Sequence, residues 1–195
     1  MKTLWKQSVL TEMGLTPISL SARDWLLLLL QANDQNPIQG EESIHITFFM
    51  MQYPPVDFKP LVLSVFSQPL YDALEQLINE GLVEKSFSQE RGKIIETFKL
   101  SDRGVREAEL LYEKVRKSWV IIGDLVARDG SKLLGELEAL KKTYNGKDLL
   151  EWLRIFMERI DSPESSFDIF FTKAESDYMK KLYRVYRRTL DLRHF

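Results

Sequence analysis

The 195-residue chain predicts a mainly helical α+β fold organised around one two-stranded β-hairpin. Three observations predict it. Apolar residues recur at helical spacing through most of the chain. Two β-rich runs, Leu82–Phe87 and Ile94–Leu100, flank Ser88-Gln-Glu-Arg-Gly92, a polar turn of hairpin length with the glycine such turns favour. Helix start and stop signals bracket that hairpin: Ser67 and Gly81 before it, Ser101 after it.

The elements follow in order. Ser21-Ala-Arg-Asp24 reads as a capping box with aspartate at its fourth position, and Leu20 with Trp25 takes the places of a hydrophobic staple. A helix over residues 22–33 follows, apolar almost all round and therefore central to the core. A second helix over 42–52 places Ile44, Phe48 and Met51 on one side. Tyr53-Pro-Pro55 breaks the chain, because proline disfavours helix at the preceding residue. Leu61–Phe66 reads as a short buried strand or an extended segment. Ser67 is placed to cap a third helix, with Phe66 and Tyr71 as its staple, Leu70, Leu74, Leu77 and Ile78 as its buried stripe and Gly81 as its stop.

Ser101 caps the next helix, with Leu100 and Val105 as another staple. Val105, Ala108, Tyr112, Val115, Trp119, Ile122 and Val126 recur at alternating spacings of three and four, which predicts a long helix with a heptad seam. Such a stripe needs burial, either against the later helices or against a second copy, and a homodimer through it is expected. Gly123 interrupts the pattern and Asp129-Gly130 ends it. Further helices are expected over 131–144 and 147–159, split by Asn145-Gly146, with a break at Ser162-Pro163. Thr172-Lys-Ala-Glu175 is a capping box for a last helix reaching about residue 190, with Tyr178, Leu182, Tyr183, Tyr186 and Leu190 on its apolar side.

Residues 69–107 resemble the core of PadR- and MarR-like winged-helix regulators. The likeness lies in Leu70-Tyr71-x-Ala73-Leu74-x-x-Leu77-x-x-x-Gly81-Leu82-Val83, the hairpin, and then Lys99-Leu100-Ser101-Asp102-x-Gly104; residues 22–40 look like the first helix and the turn after it. The resemblance implies a winged helix-turn-helix domain over residues 1–104, with a helical dimerisation or interaction region over 105–195. It places a recognition helix at 67–80 and a wing tip at 88–93, and it implies a cytoplasmic, homodimeric transcription regulator that binds DNA. Recognition helices of this kind enter the major groove while wings contact backbone or minor groove. Candidate DNA contacts are Gln68, Tyr71, Gln76 and Asn79 on the helix, Lys85, Arg91 and Lys93 on the wing, and Arg184, Arg187 and Arg188 on the last helix.

Charge argues the other way. The formal net charge is -2, and the third helix carries no lysine or arginine. Residues 67–100 hold four basic side chains against six acidic ones; the basic excess sits in residues 173–195, seven against three. Phosphate contact supplies most non-specific DNA affinity, and carboxylates repel phosphate. The connection over residues 53–66 is also longer than a helix-turn-helix turn. The second expectation is therefore a winged unit that docks on a basic protein partner through its acidic third helix.

Nothing points to catalysis. The chain has no cysteine, no phosphate-cradling glycine loop, no GxSxG and no HExxH. His45, one turn after Glu41 and Glu42, is read as a helix-surface histidine, because two such ligands do not complete a metal site. No cofactor, metal or membrane span is expected; the longest apolar run, Trp25–Leu30, is far short of the ~20 residues a span requires.

Overall fold

The computed structural model describes residues 4–61, 64–90, 92–123, 126–147, 151, 152, 154, 155 and 171–191; for residues 4–7, 90, 183 and 186–191 it describes the backbone alone. The architecture is α+β, with seven helices among the described elements and three small sheets. Among the described residues, no helix is long and apolar enough to cross a membrane.

The chain opens with α1 (Leu4–Glu12) and β1 (Pro17–Ser19), neither expected from the sequence. Helix α2 (Ala22–Gln31) starts at the expected capping box: Ser21 N–H donates to Asp24 Oδ2 at 2.8 Å and Asp24 N–H to Ser21 Oγ at 3.2 Å. Every residue from Trp25 to Leu30 is buried. Asn33, Asp34 and Gln35 then take left-handed backbone conformations, which asparagine and aspartate tolerate better than most, and turn the chain into β2 (Ile38–Gln39). Helix α3 (Glu41–Phe49) is buried around its circumference from Ser43 onward, not along one side. Its polar residues are satisfied inside: Ser43 Oγ donates to Gln39 O at 2.5 Å and Thr47 Oγ1 to Ser43 O at 2.6 Å.

The long connection after α3 is filled by a miniature hairpin, β3 (Lys59–Pro60) and β4 (Val65–Phe66). Helix α4 (Gln68–Asn79) buries Leu70, Ala73, Leu74 and Leu77 and leaves Ile78 half-buried. It ends as the glycine at 81 predicts. Gly81 N–H donates to Ile78 O at 3.0 Å and Leu82 N–H to Leu77 O at 2.9 Å, with φ +70° at Gly81. Strands β5 (Val83–Glu90) and β6 (Lys93–Leu100) pair antiparallel, and β2 lies on the other side of β6. Ser88, Gln89, Glu90 and Lys93 belong to the ladder, so the strands run on into the residues expected as a five-residue turn; Gly92 takes φ +79°, as tight hairpin reversals favour.

Helix α5 (Asp102–Arg116) begins at Ser101, whose Oγ accepts from Gly104 N–H at 3.1 Å. The expected long helix stops there. Trp119–Ile122 is strand β7 and Val126–Asp129 is strand β8, so the predicted seam is divided among three elements. Val105, Ala108, Tyr112 and Val115 lie on α5, Trp119 and Ile122 on β7, and Val126 on β8. The β-branched run after Trp119 favours the pleated conformation, and β1 supplies a parallel partner that no heptad count reveals. Ala108, Val115 and Ile122 are buried within the chain, while Val105, Tyr112, Trp119 and Val126 are half-buried. A continuous helical dimer seam therefore does not exist.

Helix α6 (Gly130–Tyr144) follows, capped by Asp129 Oδ1, which accepts from Lys132 N–H at 3.0 Å. Residues 151, 152, 154 and 155 are helical; the rest of the expected 147–159 helix and the break at 162–163 lie outside the described residues, except for Lys147. Helix α7 (Lys173–Asp191) begins at the predicted Thr172–Glu175 box. Ser176 and Met179 are buried; of the apolar side read from the sequence, Leu182 is half-buried and Tyr178 is exposed, and the side chains of Tyr183, Tyr186 and Leu190 lie outside the described set. Phe171 stacks on Phe49 at 6.0 Å and ties the start of α7 to the end of α3. One core spans the described residues: α2 packs on α4, α5 and α6, α3 packs on α6, and β1 from the first predicted region pairs with β7 from the second.

Candidate nucleic-acid interface

The residues expected to touch DNA lie on α4, on the β5–β6 hairpin and on α7. On α4, Gln68, Tyr71, Gln76 and Asn79 are exposed, as their spacing opposite the buried stripe predicts. Asp72, Glu75 and Glu80 stand among them. The two glutamine amides are engaged within the helix: Gln68 Nε2 donates to Asp72 Oδ1 at 2.7 Å and Gln76 Nε2 to Glu80 Oε1 at 2.7 Å. Tyr71 leans on Phe66, ring centroids 6.0 Å apart, in the predicted staple.

Glu80 is also a junction. Arg23 of α2 reaches its Oε2 at 3.0 Å and Glu107 of α5 at 2.7 Å. The hydrogen bonds from Gln76 and then Arg23 hold the Glu80 carboxyl below its ordinary range, so it stays anionic. Arg23 is thus engaged with two carboxylates at the C-terminal end of α4, where the exposed Arg103 also donates to Glu80 O at 3.2 Å.

The hairpin repeats this pattern. Lys85 pairs with Glu96 at 2.5 Å and Lys99 with Glu84 at 2.9 Å; these contacts push both ammonium groups above their usual range. Lys85 also lies over the rings of Phe98 and Phe87, 5.5 and 5.6 Å from their centroids. Lys93 is exposed and stands opposite Glu90 in the ladder. Arg91 lies outside the described residues. On α7, Lys181 and Arg184 are exposed; the backbone of Arg187 and Arg188 continues the helix, and their side chains are outside the described set.

His45 is a correction. It is buried, not on a helix surface, because α3 is enclosed on all sides. Ser67 N–H donates to its Nδ1 at 3.3 Å, so Nε2 carries the proton and donates to Glu41 Oε1 at 3.1 Å. Burial pushes the imidazole down, against the pull of Glu41 and Glu42, and keeps it neutral. Ser67 accordingly does not cap α4 with its hydroxyl, which is buried without a partner among the described residues; its backbone N–H is held by His45 instead. The described residues contain no group of three ligating side chains able to hold a metal.

Two exposed apolar side chains on the hairpin escaped the sequence reading. Phe87 is 65% and Ile94 77% exposed, and they share the sheet face that carries the buried Phe98 at its root. Their alternation with polar neighbours looks like an ordinary half-buried hairpin. The strands, however, outrun the helices that would cover them.

Searches against family models, curated proteins and solved structures find no match to this chain.

Proposed function

We propose that residues 22–100 form a winged-helix module whose outward surface docks on a basic protein partner rather than on duplex DNA. The winged-helix reading is supported by the order helix, strand, helix, helix, strand, strand, which the short β3–β4 hairpin interrupts between its second and third helices, and by a sheet in which β2 pairs with β6. The observation that carries the choice of partner is electrostatic. The outward side of α4 presents the exposed Asp72 and the half-buried Glu75 and Glu80, the last already paired with Arg23, and no cation of its own; the hairpin lysines Lys85 and Lys99 are each paired with a glutamate. Bringing that surface within reach of phosphates costs repulsion with no counterion release to offset it. A basic protein surface meets the same carboxylates with complementary potential.

The test is recovery of partners by the tagged full chain after nuclease treatment, compared with a variant carrying Asp72→Lys and Glu75→Lys. The expected result is a stoichiometric protein that the charge-reversed variant loses. Recovery of nucleic acid alone would overturn the reading.

A DNA-binding transcriptional regulator is the second reading. It is favoured by the exposed Lys181 and Arg184 on α7, which stand in the basic C-terminal segment. On that reading the phosphate contacts come from α7 and Lys93, and α4 contributes none.

A further inference from the structure

The two edges of the β2–β6–β5 sheet are treated differently. At the β2 edge, Asn145 from the end of α6 satisfies the main chain. Its Oδ1 accepts from Gln39 N–H at 2.9 Å, and its Nδ2 donates to Pro37 O at 2.7 Å. At the other edge, β5 runs for eight residues and no described strand pairs with its outer side. Residues Glu84 to Gln89 are exposed one after another, Phe87 among them. A long open edge with an exposed aromatic is a template for strand addition.

The ladder shows which main-chain groups are free. Ser101 N–H donates to Leu82 O at 2.9 Å, one step beyond the Val83–Leu100 pair, and Glu96 O accepts from Gly40 N–H at 2.8 Å on the opposite side of β6. Glu84, Ser86 and Ser88 therefore bond inward to β6. Lys85 and Phe87 turn their N–H and C=O outward.

We propose that this edge is a self-association surface, on which β5 of a second copy pairs antiparallel about a two-fold axis at Ser86. The side chains choose the register. Centring on Lys85 sets Lys85 against its own copy, centring on Glu84 does the same for Glu84, centring on Phe87 sets Glu84 against Glu90, and centring on Ser88 pairs only residues 86–90 of β5 where centring on Ser86 pairs residues 83–89. Like charges directly opposite one another destabilise a sheet. Centring on Ser86 pairs Glu84 with Ser88 and Lys85 with Phe87, and Ser86 meets itself. No like charges are opposed, and the free groups of Lys85 and Phe87 satisfy each other. Each Phe87 also gains a second lysine stem, extending the Lys85–Phe87 contact already present within one chain. The contact is isologous and closes at two copies. It replaces the helical seam that the fold rules out, and it stands apart from whatever α4 binds, so either reading can fail without the other.

The chain has no cysteine, which makes a crosslinking test clean. In the proposed register two copies of residue 86 form a non-hydrogen-bonded pair with Cα atoms about 4.5 Å apart, within disulfide reach. Two copies of residue 88 lie about 14 Å apart along the strands. Full-length Ser86→Cys under mild oxidant is expected to run at twice the chain mass, and Ser88→Cys to remain single. A Ser86→Cys chain that stays single, or a Ser88→Cys chain that crosslinks equally, overturns the proposal. Charge swapping gives an independent check without oxidant. Ser86→Lys and Ser86→Glu, each folded by circular dichroism, should each be monomeric at low salt, and an equimolar mixture should recover the dimer mass. A mixture that stays monomeric also overturns it.

Discussion

Gly104→Ala is expected to lower stability by about 3 kcal/mol or more, the range of severe overpacking, and the midpoint of thermal unfolding by about 6–12 °C. A Cβ at this position would sit 2.0 Å from Leu82 O and 3.0 Å from Leu82 C, both backbone atoms that hold the root of the hairpin. Leu82 O already accepts from Ser101 N–H, and Ser101 Oγ donates to Gly81 O at 2.8 Å. Relieving the clash would therefore pull α5 away from the junction of α4 and β5. Gly130→Ala should behave alike, with its Cβ 1.9 Å from Val115 O and 2.8 Å from Ser118 O. Gly135, exposed within α6 with nothing within 4 Å of an added Cβ, is the control; alanine there should stabilise by about 0.5–1 kcal/mol. Urea denaturation of the three variants checks the set, and equal effects at 104 and 135 would contradict the packing described.

Lys141 carries the second large effect. It is 1% exposed, and its Nζ donates to Leu30 O at 2.9 Å and Ala32 O at 2.8 Å, capping the C-terminal end of α2 from α6. Burial pushes its ammonium down to about 7 from an ordinary 10.5. The sign follows from linkage. Below about pH 7 both folded and unfolded states hold the proton, and the folded state bears the full cost of a buried charge. Between about 7 and 10.5 only the unfolded state holds it, so unfolding free energy rises with pH by up to about 1.4 kcal/mol per unit. Above 10.5 the dependence ends. Lys141→Met removes the titration but leaves two carbonyls without a donor. The expected result is a wild-type stability that climbs from pH 7 to 9.5 relative to Lys141→Met; parallel curves would show that Lys141 does not titrate in this window.

What was legible in the sequence was local. Ser21, Ser101, Thr172 and Gly81 each act within a turn of their own position, and the structure places all four as their neighbours in sequence imply. The misreadings involve partners distant in the chain. The run from Trp119 to Ile122 satisfies a heptad count as well as a strand, and only β1, a hundred residues earlier, decides between them. His45 lies one turn from two glutamates, as a surface histidine would, yet the residues that enclose it include Phe66 and Ser67 from the far side of the β3–β4 hairpin. Nothing beside Lys141 in the sequence shows that α2 ends against it. For the candidate interface, the sequence correctly exposed the outward face of α4 and its acidity. It did not show that Lys85 and Lys99 are neutralised by cross-strand glutamates, since that pairing depends on the ladder register.

That neutralisation is what sets the proposed module apart from a DNA reader, and wild-type affinity for DNA tests it most directly. Titration of fluorescent random-sequence duplex with the full chain, from about 50 to 200 mM salt, should give no saturable binding even at the low end, where non-specific DNA binders are strongest. Saturable binding at low salt that weakens steeply as salt rises, the signature of several phosphate contacts, would contradict the protein-docking function.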